Sequence, residues 1–174
     1  EIAGCYGASD TFLITINPYP IAYVPNDTVL CANQNTNTYS FSSSVIGASY
    51  AWVNNNTTTG LSSNGNNDLA SFLTQNPTIN PIVSDISVTP SANSCSGDPV
   101  LFSITVNPLP YPDAGSDQII CLGDSILLNV VGPDQYIWND TIINDTTIEL
   151  STLGINEFIV EATDFNNCQN TDTL

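Results

Sequence analysis

The sequence predicts an all-β protein of tandem β-sandwich modules in a linear array, and three observations carry that prediction. The chain repeats itself at a fixed offset, its apolar residues alternate with period two, and clusters of Asn, Gly and Pro interrupt it about every ten residues.

The repeat decides the layout. Residues 5–18, CYGASDTFLITINP, align without a gap on residues 95–108, CSGDPVLFSITVNP, at an offset of 90 with seven of fourteen positions identical. At the same offset Asp27-Thr28-Val29-Leu30-Cys31 lies over Asp117-Gln118-Ile119-Ile120-Cys121, and Tyr50-Ala51-Trp52 answers Tyr136-Ile137-Trp138 at an offset of 86. Residues 1–18 are therefore expected to be the last strand of a preceding module and residues 19–110 one whole module. Residues 111–174 are expected to be a further module lacking its final strand, since only Gln-Asn-Thr-Asp-Thr-Leu follows Cys168. Both termini read as interior cuts. The joints, Asn17-Pro18-Tyr19-Pro20 and Asn107-Pro108-Leu109-Pro110-Tyr111-Pro112, alternate prolines and favour semi-rigid extended chain.

Strand by strand, Phe12, Ile14 and Ile16 alternate with Thr11, Leu13 and Thr15, and Phe102, Ile104 and Val106 repeat the pattern. Phe158, Val160 and Ala162 alternate with Glu157, Ile159 and Glu161, which places the glutamates toward water. Asn54-Asn55-Asn56, Asn64-Gly65-Asn66-Asn67 and Gly132-Pro133-Asp134 are turn formers between strands. Each module carries a Tyr-x-Trp on a central strand, so both rings share a face. Trp52 and Trp138 are expected to plug the module cores. The competing reading, a platform for stacking sugars, would need them exposed.

Composition narrows the function. The 174 residues hold 17 carboxylates and no Lys, Arg, His or Met, for a formal charge of −17. Nucleic acid and anionic membrane are excluded as partners because nothing neutralises phosphate. No apolar run is long enough for direct membrane insertion. Without His or Lys, imidazole general-base chemistry and Schiff bases are also excluded. No GxSxG elbow occurs, and small modules leave little room for a two-carboxylate glycosidase cleft. The protein is expected not to be an enzyme. Charged residues are only 10% of the chain while apolar residues reach 41%, which is enough to bury a core.

Five cysteines without a metal-type spacing point to disulfides in an oxidising compartment. The repeat pairs Cys31 with Cys95 and Cys121 with Cys168, one bridge bracketing each module, and leaves Cys5 to a partner upstream. Buried reduced thiols are the competing reading. Hard carboxylate oxygens suit Ca²⁺, and the candidates for a structural calcium are Asp113, Asp117, Asp134, Asp140 and Asp145. They face the alternative of a solvated acidic surface. No other cofactor is expected.

Asp117-Gln118-Ile119-Ile120-Cys121-Leu122-Gly123-Asp124-Ser125, preceded by Ala114-Gly115 and followed by Tyr136-Ile137-Trp138, resembles the opening of PKD-like and Ig-like repeats in large surface proteins of Bacteroidota. Ile86-Ser87-Val88-Thr89-Pro90, Ala92-Asn93-Ser94-Cys95 and Phe102–Pro108 are similar to their closing half. Such repeats occur in long secreted adhesins, including gliding-motility adhesins exported by type IX secretion. The resemblance implies β-sandwich modules on the extracellular surface of a Gram-negative bacterium, forming the stalk of an adhesin or filament. The partners it implies are neighbouring modules, surface or filament proteins, and glycans. One departure matters: antibody domains bridge their sheets at mid-strand, whereas these cysteines sit at module ends, so antigen-type recognition does not carry over. Bacteroidota also attach O-glycans at Asp-Ser/Thr before a small or aliphatic residue, which marks Thr28, Ser125, Thr141, Thr146 and Thr173. The alternative for these is an ordinary turn cap. A carbohydrate-binding module is the other functional reading, with Tyr19, Tyr23 and Tyr111 as aromatic candidates.

Overall fold

A computed structural model describes residues 10–132, 134–139 and 141–174. The protein is mostly β-strand, arranged in separate sheets around two hydrophobic cores. The first unit contains β1 (Ala22–Tyr23), β2 (Thr28–Cys31), β3 (Ser42–Ser43), β4 (Ser49–Asn54), β5 (Asn64–Asn66), β6 (Ile82–Ala92), β7 (Cys95–Ser96) and β8 (Val100–Asn107). Its main sheet has the order β2-β8-β6-β4-β5, with β7 paired to β6 and β1 paired to β3 apart from it. β2 runs parallel to β8, and every other pairing is antiparallel.

β6 and β8 form because their alternation is strict. Ser84, Ile86, Val88, Pro90 and Ala92 face inward from β6, and Phe102, Ile104 and Val106 from β8. Of these, Ile86, Val88, Phe102, Ile104 and Val106 share one core with Phe41, Trp52, Leu61 and Leu69. The Trp52 ring lies so close to Gly65 on β5 that a Cβ there would stand 2.2 Å from Trp52 Cζ2, which is why the strand can carry only glycine at that point. Between β6 and β7, Asn93 and Ser94 both adopt positive φ, 49° and 64°, as a two-residue hairpin turn demands.

Several buried polar side chains are satisfied without charge. The side-chain amide of Asn54 reaches the carbonyls of Asn56, Leu61 and Ser62 at 2.9–3.2 Å. Thr59 and Ser84 share a 2.6 Å hydroxyl contact beside the Asn56 carbonyl. The asparagine run thus ties a loop to β6 by the hydrogen bonds that salt bridges would otherwise supply.

The second unit contains β9 (Ser125–Leu128), β10 (Gln135–Trp138), β11 (Ile142–Ile143), β12 (Thr146–Glu149), β13 (Ile159–Thr163) and β14 (Gln169–Thr173). The sheet β11-β10-β13-β14 and the pair β12-β9 contribute to one core, in which Leu128, Trp138 and Val160 are fully buried. Registers match between units: Trp52 opposes Val88, and Trp138 opposes Val160.

Two strand expectations are corrected. A strand does follow Cys168, because β14 pairs with β13 from Ile159↔Thr173 to Thr163↔Gln169. Gln169-Asn170-Thr171-Asp172-Thr173 has no apolar residue to reveal it, yet backbone pairing at a sheet edge needs none. Conversely, the described part of the first expected strand, residues 10–18, forms no strand. Phe12, Leu13, Ile14 and Ile16 are 70–92% exposed, and none of the described strands pairs with them. Residues 1–9, including Cys5, lie outside the described residues.

Candidate functional site

The chemistry-bearing residues converge at the joint between the two units. Cys31, at the end of β2, forms a disulfide with Cys168 in the turn between β13 and β14, with Cα atoms 5.5 Å apart. The expected pairs Cys31–Cys95 and Cys121–Cys168 are not formed. β2 leaves Cys31 opposite Asn107, near Ile82 at one end of β6, whereas Cys95 pairs with Ala92 at the other end. Ten residues of strand separate those levels, roughly 33 Å at about 3.3 Å each, and a bridge needs Cα atoms within about 7 Å. The same polarity separates Cys121, beside Phe158 and Leu174, from Cys168 at the opposite end of β13. Cys95 and Cys121 have no bridge partner among the described residues.

Local chemistry fixes both half-sites. Cys31 donates its N–H to Gln34 Oε1 at 3.3 Å, and its carbonyl accepts from Thr74 Oγ1 at 2.7 Å. Asp164 Oδ1 accepts the N–H groups of Asn166 and Cys168, both at 2.8 Å, so that Asp164-Phe165-Asn166-Asn167-Cys168 is wound around one carboxylate. The linker is held from the same side: Asn170 Nδ2 donates to Pro110 O at 3.0 Å, and the Ala114 N–H to Asp172 Oδ2 at 2.8 Å. These holders were missed by the sequence reading. The Asp-x-Asn-x-Cys turn was its available signal.

The N–H of Ala114, and then that of Thr173, hold Asp172 below its ordinary carboxylate value against a smaller opposing effect of burial. A depressed folded-state value means a stabilising contribution that is present above the unfolded value and lost as pH falls through the folded one. The Asp172 carboxyl resonance is expected to titrate below the ordinary aspartate range. A midpoint within or above that range would show that the linker clasp is absent in solution.

The calcium candidates do not converge. Asp113 accepts from the Gly115 N–H at 3.0 Å and Asp145 from Asn129 Nδ2 at 2.6 Å, while burial first and then Asp134 hold the Tyr136 hydroxyl above its ordinary value. Asp117 lies on a groove wall, and Asp140 is outside the described residues. No group of three or more potential ligands is placed to hold a metal among the described residues. Trp52 and Trp138 are 6% and 0% exposed. Tyr19, Tyr23 and Tyr111 are exposed, on linkers or on the short strand β1. Of the Asp-Ser/Thr sites, Ser125, Thr141 and Thr173 are exposed and Thr28 and Thr146 half-buried. Thr28, Thr141 and Thr146 also donate to nearby carbonyls, as turn caps do. No helix is long and apolar enough to cross a membrane among the described residues. No protein-family model matches the chain, and no curated protein matches it.

Proposed function

We infer that this chain is a shaft segment of a long extracellular adhesin or surface filament, built of Ig-like and PKD-like sandwich modules and acting mechanically, not as an enzyme. The observation that carries the reading is the Cys31–Cys168 bridge across the joint. Force applied at the two ends enters through the N-terminal segment, crosses the bridge and leaves through β14. The chain between the two cysteines, a sequence separation of 137, is bypassed. Strands β3 to β13, which supply most of both cores, are thereby shielded from extension, which suits a rod under tension. A persistent disulfide also belongs to an oxidising compartment such as a bacterial cell surface. Absence of Lys and Arg removes the sites that trypsin-like proteases cleave. Asp-Ser/Thr positions open to solvent would accept O-glycans along the shaft.

Single-molecule pulling tests this. The oxidised chain is expected to extend only through the segments outside the bridge, including β1, β2 and β14, while reduction should release up to roughly 450 Å more as a sequence separation of 137 becomes extensible at about 3.3 Å per residue. Full extension without reductant would refute the shielding role.

A further inference from the structure

The chain contains a single Asn-Gly pair, Asn64-Gly65, and the fold places it on β5, at the edge of the first sheet. Asn-Gly is the pair in which an asparagine side chain most readily reacts with its own backbone. Glycine has no side chain to obstruct its nitrogen and the widest choice of backbone conformation in which to approach the amide carbon. At this position glycine is compulsory, because the Trp52 ring fills the space in which any Cβ would stand. The core that Trp52 plugs therefore imposes a labile pair on the strand covering it.

That strand is lightly held. β5 has three residues, none with an apolar side chain, and among the described strands it pairs with β4 alone. Between the buried anchors Leu61 and Leu69 every residue is exposed except Gly65, which is half-buried. The Asn64 amide donates to the adjacent Ser63 Oγ at 3.1 Å, so no distant group restrains it. Beneath the strand, Trp52 Nε1 is buried without a hydrogen-bond partner. Closing β5 leaves that donor unsatisfied, and lifting β5 gives it water, which lowers the cost of opening. In the closed strand the pair is protected. Gly65 stands opposite Trp52, between the 2.8 Å bonds from the Asn54 N–H to Ser63 O and from the Asn67 N–H to Tyr50 O, so its own N–H is tied into the ladder.

We propose that Asn64-Gly65 is a self-modifying site, gated by the opening of β5, whose conversion to isoaspartate uncovers Trp52. In the opened strand the Gly65 nitrogen gives up its proton and bonds to Asn64 Cγ. The bond from Cγ to the side-chain nitrogen breaks, and that nitrogen takes the proton and leaves as ammonia. Water then opens the resulting five-membered imide at either carbonyl, giving aspartate or, with the backbone rerouted through the side-chain carbon, isoaspartate. Water is consumed and ammonia released, and no oxidant or reductant takes part. The isoaspartyl backbone is longer by a carbon atom, so Gly65 cannot return to its register opposite Trp52. The new carboxylate joins a chain of 17 carboxylates with no cation to neutralise it. The first unit thus carries a timer, set by how often β5 opens, that turns a buried indole into an exposed one.

The test incubates the full, oxidised chain at mildly alkaline pH, folded or in guanidinium. Chymotrypsin cuts after Leu61 and Leu69 and releases residues 62–69, in which fragment masses locate the amide that has become an acid. Labelling by isoaspartyl methyltransferase identifies isoaspartate. Asn64 is expected to convert ahead of Asn66 and Asn67 of the same peptide. Its rate in the folded chain should be roughly 100-fold below that in guanidinium, because only locally opened molecules react. That ratio should equal the opened fraction reported by deuterium exchange at the Gly65 N–H. Trp52 Nε1–H should exchange at the same rate as Gly65, and both faster than the N–H groups of Ile86 and Val88 on the central strand. After conversion Trp52 Nε1–H should lose its protection while Trp138 Nε1–H keeps its own. Asn64→Gln closes the five-membered route, and Asn64→Asp adds the charge without the extra backbone atom. The Asn64 side chain is exposed, so both variants should fold and melt as the parent does and keep Trp52 protected through the same incubation. Conversion as fast in the folded chain as in guanidinium, or far slower than the opened fraction allows, would overturn the gating. A converted chain that keeps Trp52 protected, or an Asn64→Gln chain that loses protection at the parent's pace, would overturn the uncovering. The pulling experiment is unaffected by any of these outcomes.

Discussion

Trp138→Ala is expected to destabilise the second unit by roughly 3–5 kcal/mol, enough to leave it largely unfolded while the first unit remains intact. The ring is fully buried among Leu128, Val160 and Phe158, so truncation leaves a cavity in a core of only a few large side chains. It also breaks a polar clasp. Trp138 Nε1 donates to Asn144 Oδ1 at 3.1 Å, and Asn144 in turn exchanges two 2.8 Å hydrogen bonds with the backbone of Val130. Trp52, by contrast, buries its Nε1 without a partner, so its contribution is packing alone. Guanidinium unfolding followed by circular dichroism should resolve a lowered second transition in Trp138→Ala. Wild-type behaviour would mean that the indole is not a core residue.

Removing the bridge with Cys31→Ser and Cys168→Ser together should lower the second unit's stability by roughly 4 kcal/mol on the chain-entropy model. With the first unit folded, Cys31 is fixed beside Asn107, because the Ala32 N–H holds the Asn107 carbonyl at 2.9 Å. The loop that the bridge closes in the unfolded second unit is therefore the stretch of about sixty residues from Asn107 to Cys168, not the whole chain between the cysteines. The first unit's core lies on one side of that loop and should melt as before. Unequal shifts of two denaturation transitions, the later part of the chain losing more, would bear this out. Equal shifts would contradict separate cores.

Both predictions depend on which ends of the sheets meet, and that is where sequence and structure diverge. Positional order along the repeat suggested one bridge inside each module. Strand direction overrides it: in each unit the first cysteine ends at the linker-distal or linker-proximal end opposite to the hairpin that carries the second. Sequence order carries no information about which end of a strand a hairpin occupies, so the partner of Cys31 was out of reach. The carboxylates that shape the joint, Asp164 and Asp172, were likewise invisible as a set, because they act on backbone N–H groups that only folding brings to them.

The all-β character, the two Tyr-x-Trp strands and the turns follow from local composition and period-two alternation, which depend on neighbouring residues alone. Tertiary structure decided the rest. β14 exists without an apolar pattern because β13 offers it a backbone edge. Residues 10–18 form no strand despite a strong pattern because none of the described edges stands beside them. A ladder is made by two partners, and one strand's sequence specifies only its own half.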